Sequence, residues 1–230
     1  MQRASCLIRK DGEKLRIDGA IFDLDGTLLD SMYIWDTIGS DYLVSRGITP
    51  EPNLNEKFKK MSIVQAAEYY REHYGLNEDT ASIVSGVNKM IEHLYAHEVK
   101  LKSGVAELLE RMQQKNIKMC IATATDSYMV KAALKNNGID KYFRGILTCT
   151  EVGFGKDTPI IFEKAVELLG VEKDNTLIFE DALHAIETAK KASFHVIGVY
   201  DKSSESESNQ IKCLCDEYIT SYTKWSEKTL

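Results

Sequence analysis

Asp23 and Asp25 stand one residue apart in the run Asp23-Leu24-Asp25-Gly26-Thr27-Leu28, directly after the short apolar segment Ala20-Ile21-Phe22. A strand that delivers two carboxylates and then turns on glycine puts chemistry at its carboxyl end. If the strand ends between them, the two groups diverge around a single reacting centre, which suits a nucleophile with a separate acid/base partner. Three further places continue the pattern. Thr123 closes the apolar run 117–123, Glu180 and Asp181 follow the run 176–179, and Lys156 follows Gly153-Phe154-Gly155 and precedes a helical pattern. Carboxylates, a hydroxyl and a lysine converging on one sheet edge would bind a divalent cation and a phosphoryl group.

Each piece has a plainer reading when taken singly. An isolated Asp-x-Asp-Gly is also a calcium-type loop or a turn, and a lone Thr often ends a strand. Lys156 alone reads as a solvated surface residue, and Glu180-Asp181 alone as the cap of a helix that starts near Ala182. The order of all four places along the chain is what favours the joint reading.

The elements that would position these groups are legible as an alternation. Apolar runs at 20–22, 117–123, 176–179 and 194–199 are separated by helical patterns at 104–114, 127–137, 159–169 and 182–192. Continuous apolar strands alternating with helices predict an α/β fold, a Rossmann-like doubly wound parallel sheet covered on both faces. One stretch breaks the alternation. From Ser31 to about Lys100 the patterns are helical only, at 31–46, 62–73 and 79–97, with turns near Pro50-Glu51-Pro52 and at Gly75. The expected organisation is therefore a core made of residues 1–30 and 101–230, with an inserted helical cap at 31–100. Lys102-Ser103-Gly104 and the exit after Asp30 are the candidate hinges, and a module inserted there would act as a lid over the strand ends. Residues 203–209 read as a mobile solvent loop, helix-forming residues resume at Gln210, and Tyr218-Ile219 is a candidate edge strand.

Composition narrows the function classes. The chain has 230 residues, 43% of them hydrophobic, and a formal net charge of -6 with scattered basic residues, so a nucleic-acid polymer is not an expected partner. Five cysteines (Cys6, Cys120, Cys149, Cys213, Cys215) at irregular spacing read as reduced packing thiols. No stretch reaches the roughly 18 apolar residues that span a bilayer, and the N-terminus lacks a run of signal-peptide length. A cytoplasmic protein acting on a small molecule is the expectation.

The pattern DxDGTLxDS at 23–31, followed in order by Thr123, Lys156 and Glu180-Asp181, resembles the haloacid dehalogenase superfamily over about residues 18–218. Within it the chain is similar to the β-phosphoglucomutase and phosphatase branch with a helical cap. That resemblance implies a Mg2+-dependent phosphatase acting on a small phosphorylated metabolite such as a sugar phosphate or nucleotide. Asp23 would be the nucleophile that forms an aspartyl-phosphate, and Asp25 would protonate the leaving alkoxide and later take a proton from water. Thr123, the backbone N–H of Ala124 and Lys156 would bind the phosphoryl oxygens. Mg2+ would be held by Asp23, the Asp25 carbonyl and Asp181, with Glu180 as a direct or water-mediated ligand. The haloalkanoic-acid enzymes of the superfamily need no second Asp, so Asp25 favours phosphoryl transfer.

Two departures and two alternatives accompany the resemblance. The family often continues after its lysine with Pro and then Pro-Asp-Ile-Phe, whereas Lys156 is followed here by Asp157-Thr158-Pro159-Ile160-Ile161-Phe162. This bears on the turn that aims Lys156, and Asp157 is a candidate to pair with it. The mutases of this branch carry a His on the first cap helix and an Arg in a cap loop, while this chain has Trp35 and the stretch after Met61 in those places. Phosphatase therefore leads, with sugar-phosphate mutase and a non-catalytic binding module on the same fold as alternatives. Tyr33, Trp35 and Lys59 are candidate specificity residues. The two aromatic residues have cap packing as their other reading, and the Lys59-Lys60 pair has solubility as its other reading. His93 and His97 have the i, i+4 spacing of a zinc pair without the intervening acid, which favours ordinary helix residues, and His184 is either near the site or on the surface of a first helical turn.

Overall fold

A computed structural model describes residues 16–58, 61 and 63–229. From β1 (Gly19–Phe22) the chain runs through α1 (Met32–Ser45), α2 (Leu54–Phe58), α3 (Ile63–Tyr74) and α4 (Thr80–His97). It continues with α5 (Val105–Gln114), β2 (Lys118–Thr123), α6 (Ser127–Asn136), β3 (Phe143–Thr148), α7 (Cys149–Val152) and α8 (Ile160–Leu169). β4 (Thr176–Glu180), α9 (Leu183–Lys191), β5 (His195–Val199), α10 (Ser208–Leu214), β6 (Glu217–Ile219) and α11 (Tyr222–Thr229) complete it. The chain divides into two compact units, one reaching to Asp30 and resuming at Lys100, the other Ser31–Val99.

The first unit is a six-stranded sheet in the order β3-β2-β1-β4-β5-β6 with every pairing parallel. Its order reverses at β1, the type of position at which open α/β sheets build their sites. Alternation across the sheet assigns the two faces. Ile21, Cys120, Ile178 and Val196 pack with Ile161, Phe162 and Ala165 of α8, Ala185 and Ile186 of α9, and Ile211 of α10. On the other face Phe22 stacks on Phe179 with ring centres 4.6 Å apart, and Trp225 of α11 meets Phe179 edge-on at 5.3 Å. Strands buried on both sides explain why the apolar runs were continuous rather than alternating.

β3 was not foreseen. Its sequence Phe-Arg-Gly-Ile-Leu-Thr places Arg144 and Gly145 in the middle of the strand, because an edge strand is only half covered and tolerates what a central one does not. The expected mobile loop at 203–209 is also corrected. Residues Lys202–Glu207 form a short 3-10 helix in which Asp201 accepts from the N–H and hydroxyl of Ser203, Ser204 is buried, and α10 begins directly at Ser208. A capping carboxylate ordered a segment that composition alone read as solvated.

The second unit is helical throughout its described residues. Asp79 caps α4 by accepting from the Ser82 N–H at 2.7 Å, and Ile83, Val87, Ile91 and Tyr95 recur every four residues to bury one face. α1 turns Ile34, Ile38 and Tyr42 inward, and the buried Tyr70 of α3 donates its hydroxyl to the Gly39 carbonyl at 2.7 Å. Tyr33 and Trp35 are 46% and 45% exposed, so neither is a core residue of this unit and the packing alternative for them does not hold. Lys59 lies outside the described residues.

Ile178 has no exposed surface at the centre of the sheet. Truncation there leaves a cavity that a parallel sheet cannot collapse around, so Ile178→Ala is expected to cost about 2–5 kcal/mol in urea unfolding; a loss under about 1 kcal/mol would contradict this account of the core.

Candidate active site

Strand register brings the acidic groups together. Phe22 pairs with Phe179 on one side and Ile121 on the other, so Asp23 is level with Glu180 of β4 and Ala122 of β2, and Thr123 lies one residue further on. The Asp23 N–H continues the ladder by donating to the Phe179 carbonyl at 3.0 Å. Beyond Asp23 the backbone folds into a tight turn, in which Leu28 and Leu29 donate back to the Leu24 carbonyl and Gly26 donates to Leu29. Gly26 has φ +76°, and a Cβ there would overlap the Asp181 carboxylate, so the position excludes any side chain twice over.

The carboxylates of Asp23, Glu180 and Asp181 offer ligand atoms within 4.8 Å of one another, and all three are buried. Lys156, also buried, donates to Asp23 and, at 2.8 Å, to Glu180. It does not turn to Asp157, which is exposed; the expected neighbouring pair is replaced by this deeper one. The other oxygen of Glu180 accepts from the N–H groups of Asp181 and Ala182 at 3.2 and 3.1 Å. Glu180 thus holds both the lysine and the backbone just ahead of α9; that helix has Ala182 at its cap with no side-chain cap bond, so the helix-cap reading does not hold.

Thr123 is buried, and its hydroxyl oxygen accepts from the Thr125 N–H at 3.1 Å, which leaves the hydroxyl proton to donate elsewhere. Ala124 is exposed at the strand end. Asp25 is half-buried and accepts from the Thr125 hydroxyl at 2.5 Å. Asp181 accepts from the Thr27 hydroxyl at 2.8 Å. Thr27 and Thr125 were not foreseen as site residues. Thr27 lay in plain view inside the aspartate motif, whereas Thr125 carried no signal beyond standing two residues after Thr123. Of the histidines weighed from the sequence, His184 is exposed on the first turn of α9, and His93 and His97 are exposed on α4 with His93 3.9 Å from Glu98.

Charge balance is the main feature of the cluster. Three buried carboxylates face one ammonium, and two like charges at this spacing repel by roughly 3–4 kcal/mol at an effective dielectric near 20. Burial, more than the field of Lys156 can offset, pushes the Asp23 carboxyl well above its usual range, with Glu180, Asp181 and Asp25 adding to it. Burial and Glu180 push Asp181 up to about 7 against the Thr27 hydrogen bond. For Lys156 burial works against the charge, but Asp23 and Glu180 outweigh it and keep the ammonium protonated. An all-oxygen donor set with this excess of negative charge fits a hard divalent cation such as Mg2+ rather than zinc, which takes nitrogen and sulfur ligands.

Comparison with known proteins agrees with this chemistry. Residues 20–199 match the sequence model of the haloacid dehalogenase-like hydrolases. A phosphorylated carbohydrates phosphatase of Thermotoga maritima is 24% identical over 181 residues, which cover 79% of this chain and 84% of that protein. Hexitol phosphatase A of Escherichia coli is 26% identical over 200 residues, covering 86% and 89%. In fold, the chain is similar to the crystal structure of a Thermotoga maritima protein provisionally designated a β-phosphoglucomutase, with a TM-score of 0.82 at 21% identity over 93% of this chain and all of that one.

The charge balance makes a testable statement about Asp181. Its folded carboxyl binds a proton more tightly than the unfolded one, so ionisation costs stability, increasingly from about pH 4 to pH 7 and fully above that. In chelator at pH 8, Asp181→Asn should therefore melt at least about 2 °C above the wild type, with the difference vanishing near pH 4; a variant that melts lower at pH 8 would contradict the reading.

Proposed function

Since the chain belongs to the haloacid dehalogenase-like hydrolase family, we propose that it is a Mg2+-dependent phosphatase that hydrolyses a small phosphomonoester through a phosphorylated Asp23. The observation that carries this reading is the convergence of Asp23, Lys156, Glu180 and Asp181 in one buried cluster, with Asp25 and Thr123 on the adjoining strand ends. Its relatives named as phosphatases of phosphorylated carbohydrates and hexitols support a sugar or polyol phosphate as the substrate class.

A carboxylate oxygen of Asp23 attacks phosphorus while the bond to the ester oxygen breaks, and Asp25 donates its proton to the departing alkoxide. Asp25, now a base held by the Thr125 hydroxyl, takes a proton from a water molecule. That water attacks phosphorus, the bond to Asp23 breaks, and inorganic phosphate leaves with the Asp23 carboxylate restored. The Thr123 hydroxyl, the Ala124 N–H and the Lys156 ammonium hold the phosphoryl oxygens through both steps. Lys156 keeps two of its three N–H donors on Asp23 and Glu180 and has the third for the substrate. Asp23, Asp181 and the Asp25 carbonyl would hold Mg2+, with Glu180 behind them anchoring Lys156. The cation would neutralise the cluster and the phosphoryl charge that gathers against it.

Phosphatase stands ahead of mutase because the mutase branch's cap His and Arg have no counterparts at Trp35 or after Met61, and the likeness in fold to a β-phosphoglucomutase speaks only to fold. A non-catalytic module would be expected to have lost one of the reacting groups, and the chain keeps them all. The test is phosphate release from a panel of hexose, hexitol and nucleotide monophosphates with and without Mg2+. Release should require Mg2+, fall by at least about a thousandfold in Asp23→Asn, and fall by at least about a hundredfold in Asp25→Asn. Full activity in Asp23→Asn would contradict the mechanism, and release only in the presence of a sugar bisphosphate would favour the mutase.

A further inference from the structure

The family model's match ends at residue 199, and the chain goes on through β6 to α11, a segment that reaches back to the aspartate turn. Tyr222, the first residue of α11, is 2% exposed and packs on Phe179 with ring centres 6.2 Å apart. Its hydroxyl donates to the Thr27 carbonyl at 3.0 Å. Packing fixes the helix that carries it. Trp225 meets Phe179 edge-on and donates its indole N–H to Glu217 at 2.7 Å, and on the α5 side Gly104 adopts φ +84° where a Cβ would overlap Thr223.

Thr27 is therefore held from both ends. Tyr222 takes its carbonyl, and its own hydroxyl donates to Asp181 at 2.8 Å. The Thr27 carbonyl shares its peptide plane with the Leu28 N–H, which donates to the Leu24 carbonyl at 2.9 Å, so that peptide is pinned at both ends, by Leu24 on one side and by the tyrosine on the other. A hydroxyl can aim a carboxylate only as well as the backbone beneath it is fixed, and groups one step removed from a metal's ligands affect affinity for that reason.

We propose that Tyr222 is a positioning residue of the metal site, acting through Thr27 to fix the carboxylate of Asp181; this rests on the reading of Asp181 as a Mg2+ ligand. The residues beyond 199 are then more than a closing edge of the sheet, since they supply a support for the cation site.

The test is calorimetric titration of the intact protein with Mg2+ alone, for the wild type, Tyr222→Phe, Thr27→Val and the double variant. Tyr222→Phe keeps the ring and its packing and removes only the hydroxyl. It should raise the Mg2+ dissociation constant about threefold to tenfold, and Thr27→Val, which removes the direct bond to Asp181, about tenfold to a hundredfold. Because the tyrosine acts through the threonine, the double variant should bind no more weakly than Thr27→Val. Trp225→Phe, which removes the bond to Glu217 but keeps a ring against Phe179 and leaves the Tyr222 hydroxyl in place, should leave Mg2+ affinity within about twofold. Unchanged affinity in Tyr222→Phe, effects that multiply in the double variant, or an equal loss in Trp225→Phe would overturn the inference while leaving the metal site standing. A wild type that binds no Mg2+ would overturn the metal reading of the site and this inference with it.

Discussion

An ammonium group is stable inside a protein only where carboxylates surround it, and Lys156 has two, Asp23 from the end of β1 and Glu180 from the end of β4. That buried contact ties a loop after β3 to the two central strands of the sheet. It leaves Asp181 outside that ion pair, accepting instead from a threonine hydroxyl. The architecture follows from keeping these groups in place. Parallel register sets Asp23 level with Glu180, the glycine turn lets the backbone pass close to Asp181, and helices on both faces exclude the water that would screen the charges. A cluster with more negative charge than its lysine can balance is poised to take a divalent cation and, with it, a phosphoryl group.

Much of this was legible because it is written locally. Apolar runs long enough for a strand and bounded by turn residues located β1, β2, β4 and β5, and the groups that follow them fell at one sheet edge because parallel strands all end on the same side. The helical character of 31–99 was legible from the same kind of pattern, since α1, α3 and α4 each bury one face and need no distant partner to declare themselves, whereas the five-residue α2 is too short to leave a period and was not foreseen. β3 escaped because an edge strand mixes Arg144 and Gly145 into its apolar residues, and the segment after β5 escaped because Asp201 orders it through hydrogen bonds that composition does not reveal.

The site divides along the same line. Asp23, Asp25, Thr123, Glu180 and Asp181 were singled out by their positions at strand ends, and Lys156 by its place between a pair of glycines and a helix, but what each touches was not legible. Glu180 was open between capping a helix and serving the site, and its two oxygens hold the lysine and the backbone ahead of α9 without capping that helix. Asp157 was one candidate partner for Lys156, yet a lysine directed into the sheet gains two buried carboxylates there, against one exposed carboxylate beside it. Thr27 and Thr125 donate to Asp181 and Asp25 from 154 and 100 positions away along the chain, and Tyr222 donates to the Thr27 carbonyl from 195 positions away. A single hydroxyl at such a separation leaves no periodic trace in a sequence.

The central claim is that Asp23, the carboxylate that shares Lys156, is the group that accepts the phosphoryl group. Acid quench during turnover of a hydrolysed monoester in Mg2+, followed by mass spectrometry of the peptides, tests it most directly. The account predicts one phosphoryl group on the peptide that holds Asp23, absent without substrate and removed by hydroxylamine as an acyl phosphate must be. Turnover with no label at Asp23, or a label on Asp25 instead, would contradict it.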